Sequence, residues 1–426
     1  MKSELIDLWS LFGLRESPFF QDTLSPGSAY PTDLFVGRVT ETRTILTTAG
    51  SSPSSRQVLH GPPGIGKTTL AQHVKAVLAR EGYIVRWRPV GVVAGQTSAA
   101  LMVDILASAH ESVLTARPLL ADKEPMQAAR GLVRSFRQTD VSGGLSVMGS
   151  GAQGARHTSY VRPVDAGMMQ EAWRLLLDIA ALACGEQEAR GLVVHLNNLE
   201  NLTSADSIEA ASLAFRDLRD LFLSPGLHWL VVGTSEEALG ILGAFPQVRS
   251  IFLPSHPALA PLSSQEFVAL LHERYRHLRA KGHDFIPPVE DETAMAVYEV
   301  FHGDLRGALR TLEQGCLSLS GLTEGEPIRP LRYEELTATL RPVYAAEMLA
   351  DLSDTMVARM REIAEIRGEG VTQAHLEEAW EVTRQRVSQV VGELERRGYL
   401  RRIGTSSRPR LYALTGTGLI ALGLAD

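Results

Sequence analysis

Cysteine is almost absent from this chain: two among 426 residues, Cys184 and Cys316, far apart and without partners at metal-ligand spacing. They read as two small apolar side chains in a reducing compartment. An uninterrupted apolar leader is missing too, because Glu4 and Asp7 interrupt the start. No apolar stretch approaches the length of a bilayer span, and the terminal run Gly418 to Leu424 is far too short. Excess positive charge is also lacking. The 42 Lys and Arg against 49 Asp and Glu give a net charge of −7, so any nucleic-acid contact must come from a local basic patch. What remains is the ordinary balance of soluble globular chains, 44% hydrophobic and 21% charged. We therefore expect a soluble, cytoplasmic protein with no membrane contact. Its 426 residues exceed one core and suggest two or three domains.

Residues 1–55 scatter Leu11, Phe12, Phe19, Phe20, Leu34 and Phe35 among Pro, Ser and Gly, as an extended lead-in lying on another surface would. Arg56 to His60 reads as a strand, Lys67 to Ala79 as a helix, and Tyr83 to Val93 as a second strand. Helical patterning covers 98–138, and the Gly- and Ser-rich stretch 141–164 reads as a hairpin or an insertion. Gly191 to Leu196 and Leu227 to Val232 are buried strands. Strands alternating with helices predict a parallel sheet covered on both faces. From Ser263 to Arg341 the pattern is helical, and there is no internal repeat.

Gly61-Pro62-Pro63-Gly64-Ile65-Gly66-Lys67-Thr68, with Thr69 following, matches the phosphate-binding pattern G-x-x-x-x-G-K-[ST] in full. Glycines let the backbone curl so that successive N–H groups face phosphate oxygens, and the following helix adds its positive end. Lys67 is expected to reach the β- and γ-phosphates, and the Thr68 hydroxyl to ligate magnesium.

With Phe35-Val36-Gly37-Arg38 before the cradle and Gly303-Asp304-Leu305-Arg306 after it, the chain resembles the AAA+ ATPases. Within them it is similar to the origin-recognition and replication-initiator clade. The lead-in Phe12-Gly13-Leu14-Arg15-Glu16-Ser17-Pro18-Phe19 resembles the start of bacterial ATPases used in transposition and secretion. The resemblance, which covers residues 11–315 unevenly, implies ATP or ADP with Mg2+ as cofactors. It also implies that Val36 and Gly37 border the adenine and that Arg306 is a "sensor 2" residue over the γ-phosphate.

P-loop ATPases carry an acidic pair at the end of an apolar strand, one carboxylate for the magnesium shell and one to polarise water. Here the strand reads Leu192-Val193-Val194-His195-Leu196-Asn197-Asn198-Leu199-Glu200, with amides in both places. Asn197 can accept a bond from a magnesium-bound water but adds no charge. Asn198 cannot act as a base, because an amide nitrogen has no available lone pair. Losing a general base costs about 10²–10⁴ in rate, so we expect weak hydrolysis. Glu200 remains as an acid able to orient water indirectly. Thr234 and Ser235 fit the "sensor 1" place. Arg249 is the candidate arginine finger toward a second subunit, with Arg216 and Arg219 as rivals.

The C-terminal block reads as a winged helix: Thr355 to Ile366, a short helix from Thr372 to Trp380, and a third helix from Thr383 to Arg397. Val387, Val390 or Val391, and Leu394 fall on its inner face; Arg384, Gln385, Arg386, Ser388 and Gln389 form the outer one. Two strands, Tyr399 to Ile403 and Arg410 to Leu414, flank a wing with Arg408 and Arg410. Eight Arg stand against two Glu between Arg384 and Arg410, a local reversal of charge suited to double-stranded DNA. Such domains also serve as protein-packing modules.

The expected fold is therefore α/β, an AAA+ parallel sheet with a helical lid and a small winged helix-turn-helix domain. Its boundaries are a lead-in at 1–29, a base at 30–255, a lid at 256–345 and the winged helix at 355–426. The leading expectation is a nucleotide-controlled DNA-binding switch or scaffold, with ATP between base and lid and with protein partners or a homo-oligomer. A signalling scaffold whose winged helix contacts protein, and an active motor, are the alternatives.

Overall fold

The computed structural model describes residues 7–425 apart from 27, 146–165, 187–188, 203, 253–257, 320–327, 367–369 and 404–410. The chain forms two compact units. One comprises Val39–His60 with Lys67–Ala258; the other comprises Met1–Arg38, Gly61–Gly66 and Leu259–Asp426.

The first unit is built on five parallel strands, β1 Ser55–His60, β2 Ile84–Val85, β3 Val90–Gly91, β4 Leu192–Asn197 and β5 Leu227–Gly233. Their order is β1-β5-β4, with both β2 and β3 paired to the far side of β4. Every residue of β4 and β5 is buried, which explains why both read as mostly apolar runs, broken by His195 and His228, rather than alternating ones. Phe222 packs edge-on to Trp229 of β5 at 4.8 Å and to Phe252 at 4.9 Å, closing the core at one end.

The expected strand over 83–93 is instead two short pieces. Lys75 Nζ donates to the carbonyls of Arg86 (2.9 Å) and Trp87 (2.8 Å), and Gln72 also donates to Trp87. Those acceptors are satisfied by side chains rather than by a ladder, and Pro89 lacks the donor to continue one. The lead-in also needs correction, because Val39–Ser51 is a helix anchored by buried Ile45 and Ala49. The expected 141–164 hairpin or insertion begins as the end of helix Glu124–Leu145, and residues 146–165 lie outside the described ones. One helix, Ser98–Ala116, is long and apolar enough to cross a membrane, contrary to the sequence expectation. In this fold 61% of its apolar window is buried, so its hydropathy is that of a core helix.

The second unit has its own core, running from Phe12 and Phe19 through Phe267, Leu312 and Leu336 to Met360, Val387 and Tyr412. Four helices, Ser264–Leu278, Asp291–Val300, Leu305–Leu319 and Tyr333–Asp351, form its first part. Ser263 and Glu266 close a full capping box at the start of the first. The lead-in does lie on this surface. Arg274 is buried, lies 3.8 Å from the centre of the Phe20 ring, and donates to the carbonyls of Pro18 and Phe20. Phe20 in turn stacks on Tyr30 at 3.6 Å.

The winged helix follows as Asp354–Glu365, Gln373–Trp380 and Arg384–Arg396, then antiparallel β6 Leu400–Ile403 and β7 Leu411–Leu414. Val371 bridges to Tyr412 as a third short strand position. A last helix, Gly416–Leu422, packs on Tyr333–Asp351, and the Tyr333 hydroxyl donates to the Ala425 carbonyl.

Candidate functional site

The loop Gly61–Gly66 leaves β1 and runs into the helix Lys67–Arg80, the strand-to-helix turn that a phosphate cradle requires. Gly64 and Gly66 have φ of +81° and +90°, a region that L side chains avoid. Nothing lies within 4 Å of the place where a Cβ would stand on Gly66, so an anion can approach that backbone. Gly61 and Ile65 are buried, Pro62 and Gly64 half-buried, and Pro63 exposed. Lys67 is buried at the first helical position, Thr68 and Thr69 are half-buried, and the first turn carries no acid to oppose a phosphate.

The loop is held by a residue that the sequence reading quoted but gave no role. Arg38 is buried, and its Nη2 donates to the Ile65 carbonyl at 3.1 Å. It has φ of +58° directly after Gly37 at +78°, so two consecutive residues are left-handed. Val36 is half-buried beside them. The signal available was the position of Arg38 in Phe35-Val36-Gly37-Arg38.

Asp304 is the second such residue. Its Oδ1 accepts from the Arg306 and Gly307 N–H groups at 3.1 and 3.2 Å, capping the helix Leu305–Leu319. A Cβ built on Gly64 would stand 2.2 Å from that same oxygen. Loop and tetrapeptide are thus adjacent through Asp304, while Arg306 is exposed in the helix's first turn.

At the C-terminal ends of β4 and β5 three oxygens are buried without a hydrogen-bond partner: Asn197 Oδ1, Glu200 Oε2 and Thr234 Oγ1. Each such oxygen costs about 1–3 kcal/mol unless something binds it. Carboxyl ends of parallel strands are where ligands of α/β sheets lie. Neutral oxygen donors such as Asn197 and Thr68 fit a magnesium ion that keeps waters and phosphate oxygens in its shell. Among the described residues no cluster of three His, Cys, Asp or Glu could hold a metal by itself.

Asn198 faces elsewhere. It sits at φ +73°, a conformation that Asn tolerates, with Nδ2 3.1 Å from where a Cβ on Gly91 of β3 would stand. Ser235 is engaged too, 3.0 Å from His60 Nδ1. Behind β4, burial drives the pKa of His195 well down and that of Lys75 to about 7, with Lys75 Nζ 3.2 Å from His195 Nδ1.

Arg249 is exposed on the helix Pro246–Phe252 and has no ion pair among the described residues. Arg216 pairs with Asp217 and lies over Phe245; Arg219 pairs with Asp220 and donates to the Gln247 carbonyl.

In the winged helix, Thr383 caps Arg384–Arg396, and Val387, Val391 and Leu394 are buried with Val390 half-buried. Arg384, Gln385, Arg386, Ser388 and Gln389 are all exposed. Arg408 and Arg410 lie outside the described residues. The basic surplus needs correction. Arg396 and Arg397 pair with Glu393, and Arg402 with Glu395. Arg401 turns inward, donating to the Phe301 and His302 carbonyls at 3.0 and 3.2 Å.

Residues 34–232 match the AAA ATPase domain family, and residues 360–408 match the MarR family. Comparison with curated protein sequences returns no match. Among solved structures the chain is similar to the ORC2 protein of Aeropyrum pernix in its ADPNP-ADP complexes, at 17% identity and a TM-score of 0.49 over 97% of this chain and 98% of that one. It is similar to Cdc6p from Pyrobaculum aerophilum at 12% identity and a TM-score of 0.43, covering 96% and 97%. The RuvB Holliday junction branch migration motor of Thermotoga maritima follows at 16% and 0.40, covering 92% and 96%.

Proposed function

From an AAA ATPase domain that is joined in one chain to a MarR-type winged helix, we propose a cytoplasmic, nucleotide-controlled DNA-binding protein with slow ATP hydrolysis. The observation that carries this reading is the complete cradle Gly61 to Thr69, set between a buried strand and a helix whose first turn holds no acid. Its N–H groups and Lys67 hold the phosphates, with Val36 and Gly37 toward the adenine and Arg306 answering to the γ-phosphate. Thr68 and Asn197 hold magnesium, which when bound neutralises phosphate charge.

Asn198 supplies no base and is turned toward β3, so Glu200 is the carboxylate left to orient water, and Thr234 offers a second buried oxygen without a partner. That supports slow turnover and argues against a motor. Arg249 faces outward as the finger toward a second copy. Arg384, Gln385, Arg386, Ser388 and Gln389 meet the DNA, with Arg408 and Arg410 on the wing.

The test is a duplex-DNA titration of the full chain without nucleotide, with ADP, with ATP and with a slowly hydrolysed ATP analogue, alongside Lys67→Ala. DNA affinity should change with nucleotide in the wild type and not in the variant. Equal affinity in all four states would remove nucleotide control. The pairing of Arg396, Arg397 and Arg402 with Glu393 and Glu395 favours a second reading, a winged helix that contacts protein. Absence of DNA binding at low salt would select it.

A further inference from the structure

Arg401 lies in the wing strand β6, yet only 17% of its side chain is exposed. Both terminal nitrogens donate to backbone carbonyls of the turn that precedes Asp304, those of Phe301 and His302. Asp304 Oδ2 stands 3.9 Å from Arg401 Nη1, while Oδ1 caps the following helix and abuts Gly64 of the phosphate loop. One carboxylate therefore borders the anion cradle on one side and a guanidinium of the winged helix on the other. Burial lowers the pKa of Arg401, and the charge of Asp304 opposes that shift. A cavity of about 180 Å³ beside the pair, lined by Arg310, Thr311, Thr415 and Thr417, gives the carboxylate room to turn.

We infer that Asp304 and Arg401 are positioning residues that pass the charge state of the phosphate loop to the winged helix, an inference that rests on the nucleotide-controlled reading above. Phosphate arriving at Gly64 brings negative charge against a carboxylate. The carboxylate then turns away from the loop and toward Arg401, tightening the hold of the lid turn on β6. Without phosphate the carboxylate stays shared, and β6 is held less firmly. Reciprocity requires that the same repulsion weaken nucleotide binding, since coupling between two sites acts equally in both directions.

The test uses the full chain with ATP, ADP and duplex DNA. Asp304→Asn keeps an N-cap, because Asn caps as well as Asp, and removes only the charge. It should bind ATP severalfold more tightly than wild type and lose the dependence of DNA affinity on nucleotide, which for a coupled pair of sites is about 5-fold or more. Arg401→Gln should lose that dependence too, Arg401→Lys should keep part of it, and the double variant should lose no more than either single one. Hydrogen exchange at Leu400 to Ile403 should slow on ATP addition in the wild type but not in Asp304→Asn, a readout that survives if a variant is less stable. A wild type that responds to nucleotide while Asp304→Asn responds equally overturns the link alone. A wild type indifferent to nucleotide overturns the link together with the reading on which it rests.

Discussion

Replacing Gly64 with Ala perturbs the phosphate loop at the point where it has least room. At φ +81° an L side chain carries about 1–2 kcal/mol of steric cost. The new Cβ would also stand 2.2 Å from Asp304 Oδ1, so the carboxylate must move and give up its bonds to the Arg306 and Gly307 N–H groups. Losing an N-cap costs about 1 kcal/mol. The total of about 2–3 kcal/mol, if it falls on the binding-competent loop, weakens ATP binding roughly 30- to 150-fold. Calorimetry on Gly64→Ala measures this directly. In an Asp304→Ser background, where the shorter cap leaves space, the same substitution should cost only the backbone part. Equal losses in both backgrounds would refute the steric share of this account. An unchanged ATP affinity in Gly64→Ala would refute all of it.

Glu200→Gln should slow the residual ATP turnover, by less than the about 10²–10⁴-fold that loss of a positioned general base costs, whereas Asn198→Ala should leave turnover unchanged; a phosphate-release assay distinguishes them. DNA affinity should fall with salt at a log–log slope of about −3 to −4, from Arg384, Arg386 and the two wing arginines at about −0.9 each, and Arg384→Ala should flatten it by about one such step. Lys75 has a folded-state pKa of about 7 against an unfolded 10.5, so the unfolded chain binds more protons between those values. Its penalty is complete below pH 7 and relieved as pH rises toward 10.5, so stability from this group should increase between pH 7 and 9; Lys75→Met should flatten that slope in denaturant titrations, whatever it does to the level.

The parallel sheet was legible because its two central strands, β4 and β5, are buried on both faces and read as mostly apolar runs broken by a single histidine each, His195 and His228. The winged helix was legible because Val387, Val391 and Leu394 follow helical spacing between the Thr383 cap and Gly398. The second strand was misread because the side chains of Lys75 and Gln72 capture the carbonyls that a ladder would use, and no local pattern records a partner eleven or fifteen residues away. The helix Val39–Ser51 was missed because threonines dominate its surface and only Ile45 and Ala49 anchor it. Residue counts also overstated the basic patch. Four of the eight arginines are already engaged, three by Glu393 and Glu395 and one, Arg401, by carbonyls of the turn at Phe301 and His302.

Charge counted along a sequence measures what a segment carries, not what it presents. Arg384 and Arg386 present theirs to solvent, and the side chain of Arg384 is 83% exposed even with Glu377 at 3.9 Å. The same distinction applies at the end of β4. By composition Asn197 and Asn198 are equivalent losses of a carboxylate, yet the first leaves a buried oxygen without a partner and the second is turned toward β3. A neutral oxygen can still hold a hydrated cation beside phosphate, whereas the Asn198 amide nitrogen stands against Gly91 of β3.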